Sequence, residues 1–222
     1  MKNSKKYTIF RKNSNFVMPP LETTEDKIYF KNQIIQDENG TVWQTEDFLN
    51  IGYNSKNSLS KMLSNLYHTE FKFKGKKVCS IEGVLQSLKY KDKKIQNTIL
   101  KYYGLDAYHT RGANSTDFWG ESGTLYWQGK PLDRHSEQYQ IFIDELYISA
   151  SKNPLYKKAL LSAQNKYLLH HIGKDDPNQT VLTRFEFEQR LNTLRDFLKQ
   201  EKTKWHLSKL WTVNFSPIPT QK

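Results

Sequence analysis

Leu63-Ser-Asn-Leu-Tyr67 sets a polar pair, Ser64 and Asn65, inside an apolar and aromatic run, and Ser80-Ile-Glu-Gly-Val-Leu-Gln86 with Lys89-Tyr90 follows it. The second segment carries one acid, Glu82, at the start of a helical pattern. An acid there is placed to act on a ligand held by the Ser-Asn loop. A single placed carboxylate can act as a general acid or base, or stabilise positive charge that develops on a bound ligand. Ser64 and Asn65 would contact that ligand through side chains and backbone N–H groups. Lys89 lies about two helical turns beyond Glu82, on nearly the same face, and could hold a phosphate. Each residue also has a structural reading. A first-turn acid favours the helix dipole, and Ser and Asn hydrogen-bond in turns everywhere.

Two later blocks add candidates. Asp117-Phe-Trp-Gly-Glu-Ser-Gly-Thr-Leu-Tyr-Trp127 is dense in aromatic rings, which either cap a core or form a wall for a nucleobase. Stacking of that kind is worth about 1–3 kcal/mol per base. Trp119 and Trp127 are the candidate stacking rings of that wall. Arg134 follows closely as a phosphate ligand. Downstream, Leu169-His-His-Ile-Gly-Lys-Asp-Asp-Pro-Asn178 leads to Thr180 and a helix start, where Lys174, Asp175, Asp176 or Thr180 could complete a site.

The first block resembles the signature of the NADAR family of YbiA-like N-glycosidases. There, an S-N-F run precedes an aromatic stretch ending in a Gly turn, then S/T-x-E, with a Gln and a Lys-aromatic pair downstream. Gln86 and Lys89-Tyr90 match the last two, Leu66 replaces the usual Phe, and Gly83 stands where His is common. Asn153-Pro154 matches the family's Asn-Pro before a helix. The block from His170 to Arg195 resembles one branch, with its His-x-Ile-Gly-Lys and Thr-x-Leu-Thr…Glu-Phe…Leu-Arg pattern. The commoner branch has Trp-Gly and Asn-x-x-Gly there, which this chain lacks. The resemblance spans residues about 60–198. It implies a catalytic role for Glu82, for Trp127 as the counterpart of the family's Trp, and for Asp176. It implies substrate contacts from Ser64, Asn65, Gln86, Lys89, Trp119, Arg134, Lys174 and Thr180.

The surrounding elements must bring these blocks together. Residues 1–58 read as a β-rich extension, with strands at Lys27–Phe30 and Thr41–Trp43 around an Asn39-Gly40 turn. Residues 59–200 read as the catalytic domain, and 201–222 as an irregular tail packed on it. Phe71–Phe73, the turn Lys74-Gly75 and Val78-Cys79 predict a hairpin. Ser80 predicts the cap of a helix reaching about Tyr90, and a second helix over about 93–103 is predicted to stop at Gly104. Residues 104–134 read as irregular. Helices are predicted from Glu137 to about Ser151, from Asn153-Pro154 to about Asn165, over Lys166–His171, and from Thr183 to about Leu198 behind a Thr183/Glu186 capping box.

With 222 residues the chain suits one domain, and 13 Tyr, 12 Phe and 5 Trp supply buried area despite 36% hydrophobic content. No run is long enough to cross a membrane, and the first residues lack an apolar leader core. One cysteine, Cys79, allows no internal disulfide, so a cytoplasmic protein is expected. The net charge of +11 reads either as solubility or as a preference for polyanions. His68, His109, His135, His170, His171 and His206 show no His-x3-His pair, so no metal is expected, and hydrolysis without a cofactor is the economical reading.

The expected fold is thus α+β, a mostly helical single domain with a small β element, NADAR-like. The expected function is hydrolysis of a ribose–base N-glycosidic bond in a phosphorylated or ADP-ribosylated base. The resemblance implies ADP-ribosyl-guanine in nucleic acid or a ribosylaminopyrimidine phosphate of riboflavin synthesis. The alternatives are a non-catalytic ADP-ribose or nucleotide-binding module, and a single-stranded nucleic-acid-binding protein. The sequence assigns no oligomeric state.

Overall fold

The structure is a computed structural model that describes residues 48–110 and 122–213, with side chains as far as residue 200. The strands expected near Lys27–Phe30 and Thr41–Trp43, together with Phe118 and Trp119, lie outside the described residues. Chain order is β1 (Phe48–Asn50), α1 (Ser58–Leu63), β2 (Phe71–Phe73), β3 (Lys76–Val78), α2 (Ile81–Ser87), α3 (Lys93–Ile99) and α4 (Gly104–His109). It continues with β4 (Thr124–Trp127), β5 (Lys130–Asp133), α5 (Glu137–Ala150), α6 (Pro154–Ser162), β6 (Tyr167–Leu169) and α7 (Arg184–Val213). The class is α+β and mostly helical. Among the described residues the strands form only two-stranded pairs: β2–β3 and β4–β5 antiparallel, β1–β6 parallel.

Local chemistry sets most boundaries. The Ser80 hydroxyl accepts the Gly83 N–H at 3.0 Å and starts α2. Asp92, Ser136 and Asn153 cap α3, α5 and α6 in the same way, with Pro154 in the first turn of α6. At α7, Thr183 Oγ1 accepts the Glu186 N–H (3.1 Å) while Glu186 Oε2 accepts the Thr183 N–H (2.8 Å), a closed capping box. The β2–β3 turn needs two positive φ angles, and Lys74 (44°) with Gly75 (80°) supplies them. Phe71, Lys72 and Phe73 alternate buried, exposed, buried, so the hairpin turns its aromatic face inward.

Four expectations are corrected. Residues 104–134 are not irregular throughout: they hold α4 and the β4–β5 hairpin, turned at Gln128-Gly129 with φ of 51° and 76°. Lys166–His171 is not helical. Tyr167–Leu169 pairs with Phe48–Asn50, a partner far away in sequence that no local pattern reports. The tail does not turn irregular near residue 203, because α7 continues to Val213. Gly104 starts a helix rather than ending one.

The core gathers on α5, whose Tyr139, Ile143, Leu146, Tyr147 and Ala150 are fully buried. α2 and its C-cap bring Ile81, Val84, Leu85 and Leu88 to it, and α7 brings Phe187, Leu191, Leu194 and Leu198. Phe73 meets Phe142 edge-on at 5.0 Å, and Trp127 stands 5.2 Å from Phe142. Each such side chain contributes roughly 1.5–3 kcal/mol by leaving water.

Gly104 sits where α4 touches the Ser64–Leu66 loop. A Cβ there would lie 2.2 Å from the Leu66 carbonyl oxygen and 2.3 Å from its Cα. Backbone cannot yield as a flexible side chain can, so the two segments approach this closely only at glycine. Gly104→Ala is therefore expected to cost about 1–3 kcal/mol by overpacking, read from urea unfolding. Gly52→Ala, where a Cβ meets nothing within 4 Å, is the control. Equal unfolding midpoints for the two variants would refute the close approach.

Candidate functional site

The loop after α1 is built from hydrogen bonds rather than regular structure. Ser64 is buried, and its backbone N–H caps α1 by donating to the Lys61 carbonyl. Its hydroxyl accepts the Leu66 N–H (3.3 Å) and its carbonyl the Tyr67 N–H (2.9 Å). Asn65 is then fixed from two sides. Its backbone carbonyl accepts the Glu82 N–H (3.0 Å), and its side-chain Oδ1 accepts the Tyr147 hydroxyl proton (2.8 Å). With Oδ1 so engaged, the other end of the carboxamide carries two N–H donors.

Glu82 occupies the first turn of α2, half-buried. Gln86, one turn on, donates from Nε2 to Glu82 Oε1 at 2.7 Å. Gln86 is only 7% exposed, and its own Oε1 is buried without a hydrogen-bond partner. A buried acceptor left unpaired costs about 1–3 kcal/mol, so this carboxamide has a standing need for a donor. The Tyr147 phenol is fully buried, and burial first, then Tyr156, pushes it well above the ordinary tyrosine value. It stays neutral and remains a hydrogen-bond donor to Asn65. The nearby Glu82 charge pushes it the same way. Tyr147 also leans on Phe187 of α7 (6.2 Å), which meets the His170 ring edge-on at 5.3 Å.

The expected residues divide accordingly. Ser64, Asn65, Glu82 and Gln86 come together at the α1–β2 loop and α2. Lys89 follows the last turn of α2, half-buried, and does not continue the helix. Trp127 ends β4 rather than lying in a loop, and packs half-buried against Phe73 (5.4 Å) and Phe142 at the edge of the core. Asp176 serves a turn: it accepts from the Asn178 N–H (2.9 Å) and the Gln179 amide (2.9 Å). Those bonds, the Asn178 N–H first, hold its carboxyl below the usual range, which unsuits it as a proton donor. Lys174 is exposed, its carbonyl accepting the Arg184 N–H, and the Thr180 hydroxyl donates to the Leu182 carbonyl. Trp119 lies outside the described residues.

Arg134 is the plainest correction to a phosphate-binding role. It is 1% exposed and lies over the Tyr139 ring, 4.4 Å from its centroid. Its terminal nitrogens donate to Glu186 Oε1 (3.0 Å) and Oε2 (2.6 Å), and Nε donates to the Thr180 carbonyl (3.2 Å). Burial would raise the Glu186 carboxyl, but the Thr183 N–H, Arg134 and Gln140 outweigh it and hold the group below its ordinary value. The pair ties β5 to the start of α7.

Two groups escaped the sequence reading. Tyr147 shares the inward stripe of α5 with Tyr139, and that stripe is the one signal that could have singled it out. Glu188 is 2% exposed, accepts the His170 N–H (2.7 Å) and the Tyr167 hydroxyl (3.3 Å), and is pushed up to about 7, chiefly by burial.

The chain belongs to the bacteriophage protein GP30.3 family, whose model matches residues 57–196. A relative in Enterobacteria phage T4, described as an uncharacterized 17.1 kDa protein in the Gp30-rIII intergenic region, is 33% identical over 141 residues. That match covers 61% of this chain and 90% of the relative. Among solved structures, the NMR structure of the E. coli protein YbiA is similar over 72% of this chain and 90% of its own. Its identity is 17% and its TM-score 0.48, a likeness of overall trace that assigns no residue a role. No helix of the described residues is long and apolar enough to cross a membrane.

Two outcomes follow from this geometry. Removing one partner of a buried ion pair leaves an uncompensated charge, so Arg134→Ala is expected to cost about 3–5 kcal/mol in urea unfolding. A loss below about 1 kcal/mol would return Arg134 to the list of ligand residues.

For Glu188, the folded state keeps a proton that the unfolded chain releases above its ordinary value of 4.5. Its contribution is full below that value and is lost as pH rises through about 7. His170, held below its ordinary value mainly by burial, acts oppositely, weakening the fold as pH falls. Glu188→Gln removes the first effect alone. The stability difference between wild type and variant should then shift, on the order of 3 kcal/mol at most, between about pH 5 and about pH 8. A pH-independent difference would show that Glu188 is not protonated inside the fold.

Proposed function

We propose that the protein is an N-glycosidase that hydrolyses a ribose–base bond in a phosphorylated or ADP-ribosylated base. The observation that carries this reading is the pairing of Glu82 with Gln86, whose buried Oε1 lacks a partner. In this reading Glu82 faces C1′. Its carboxylate is oriented by Gln86 and stabilises the positive charge that develops as the C1′–N bond lengthens. Water adds to C1′, the C1′–N bond breaks, and the base leaves with a proton. Gln86 Oε1 accepts from a ribose hydroxyl, and the Asn65 carboxamide, locked by Tyr147, donates to the sugar or its phosphate. The resemblance of Ser64–Tyr90 to the NADAR signature supports the same assignment. The net charge of +11 favours the polyanionic substrate, an ADP-ribosylated guanine in nucleic acid, over a small pyrimidine riboside.

A second reading, a binding module without turnover, draws support from Arg134 and Asp176. Both are engaged by the scaffold, which leaves fewer groups for chemistry than the sequence suggests.

The test is hydrolysis of ADP-ribosylated guanosine and of a ribosylaminopyrimidine phosphate by the full chain, with released base followed by chromatography. Glu82→Gln should lower kcat by about 10²–10⁴-fold with its circular dichroism unchanged. Turnover by the Gln variant at the wild-type rate would remove Glu82 from the chemistry. Tight binding with no turnover by wild type would establish the module instead.

A further inference from the structure

The β2–β3 hairpin brings three metal-ligating side chains together at its open end. His68 and Glu70 precede β2, and Cys79 follows β3 immediately before the Ser80 cap of α2. Beyond the last register pair, Phe71↔Val78, the Thr69 N–H donates to the Cys79 carbonyl (2.9 Å), so the two chain ends leave the hairpin side by side. One donor atom from each of His68, Glu70 and Cys79 lies within 4.8 Å of the other two. His68 Nε2 stands 3.3 Å from Glu70 Oε1. The Tyr103 ring meets the imidazole edge-on at 4.4 Å and restricts it. Lys77 binds the other carboxylate oxygen, Oε2, at 2.8 Å.

We propose that His68, Glu70 and Cys79 bind one divalent cation of the zinc class, with water in the fourth position. The donor set selects the metal. Calcium and magnesium take oxygen ligands, whereas imidazole, thiolate and carboxylate together suit a borderline-soft ion. Ligand atoms held tetrahedrally at 2.0–2.3 Å stand about 3.4 Å from one another. His68 and Glu70 already have that spacing, and the sulfur needs only a small side-chain movement at a half-exposed hairpin base. The Glu70–Lys77 pair need not break, because Lys77 holds the oxygen that faces away from His68. Its ammonium then orients the ligand carboxylate from outside.

Binding involves no change of oxidation state. The Cys79 thiol passes its proton to solvent as the sulfur–metal bond forms, and thiolate with carboxylate balances the two charges of the ion. Burial first, then the Glu70 charge, keeps the free thiol above the ordinary cysteine value. Without metal it is therefore a protonated, sluggish thiol. The ion would clamp the ends of the hairpin to the corner that opens α2. The spacing His68-x-Glu70…Cys79 hides this set in the sequence, because the third ligand comes from the opposite strand.

Full-length protein stripped with chelator and dialysed against zinc should retain one zinc per chain. Cobalt in place of zinc should give a thiolate-to-cobalt charge-transfer band that Cys79→Ser abolishes. Glu70→Gln and His68→Asn should each weaken zinc binding at least about 10-fold. Because the chain has 1 Cys, thiol modification reads this site alone in the unaltered protein, and zinc should slow it at least about 10-fold. That measurement decides the matter even if Cys79→Ser fails to fold. No retained zinc, or zinc retained with the thiol as reactive as before, would overturn the proposal. Equal loading of a folded Cys79→Ser variant would do the same.

Discussion

The hydrogen bond from the buried Tyr147 phenol to Asn65 holds the segment on which the candidate site depends. The Ser64–Tyr67 loop has no helix or sheet of its own to define it. Its shape comes from the Tyr147 bond, the Glu82 N–H on the Asn65 carbonyl, and the contact of Leu66 with Gly104. Each hydrogen bond contributes only about 0.5–1.5 kcal/mol net, but leaving a buried phenol or carboxamide unpaired costs about 1–3 kcal/mol. The asymmetry matters more than the gain, since any drift of the loop strands polar groups that have no water to turn to. Asn65 is thereby fixed with respect to Glu82.

The same physics separates scaffold from site among residues of similar type. Arg134 and Glu186 form a closed account: Nε and both terminal nitrogens of the guanidinium meet protein acceptors, and the carboxylate also takes Thr183 and Gln140. Nothing in that cluster calls for a ligand. Gln86 differs because one end of its carboxamide is engaged by Glu82 and the other is buried without a partner. Folding selects against such an atom unless something else meets it. Satisfaction of hydrogen bonds, more than residue type, separates Gln86, with one buried acceptor unmet, from Arg134, which is structural.

Features written within a few residues were readable from the chain alone. Ser80, Asn153-Pro154, the Thr183/Glu186 box and the Lys74-Gly75 turn each satisfy a local backbone need, and each sits where its spacing places it. Features that depend on a distant partner were not. Gly104 reads as a helix stop because glycine often ends helices, yet here it serves a close approach to Leu66 from another part of the chain. Tyr167–Leu169 is too short to carry a period of its own, and its state is decided by β1. On the candidate site, the Ser-Asn loop and α2 residues could be grouped because α2 and the loop are near in sequence. Arg134 could not be placed, because its acceptors lie far along the chain, at Thr180 and at Glu186 in α7. Basic residues beside a motif read as ligands until their acceptors are known.

The C-terminal block bears on the site through packing more than through charge. His170 meets Phe187, and Phe187 meets Tyr147, so an unbroken line of rings joins the β6 end to the phenol that fixes Asn65. The His170 Nδ1–H donates to the Ile51 carbonyl (2.7 Å), and Glu188 receives the His170 N–H, which fixes the outer end of that line. Close-packed rings have few alternative arrangements, so this line of rings supports the position of the Tyr147 phenol. The physical task of the C-terminal block is to pack against Tyr147 where a single hydrogen bond can reach Asn65.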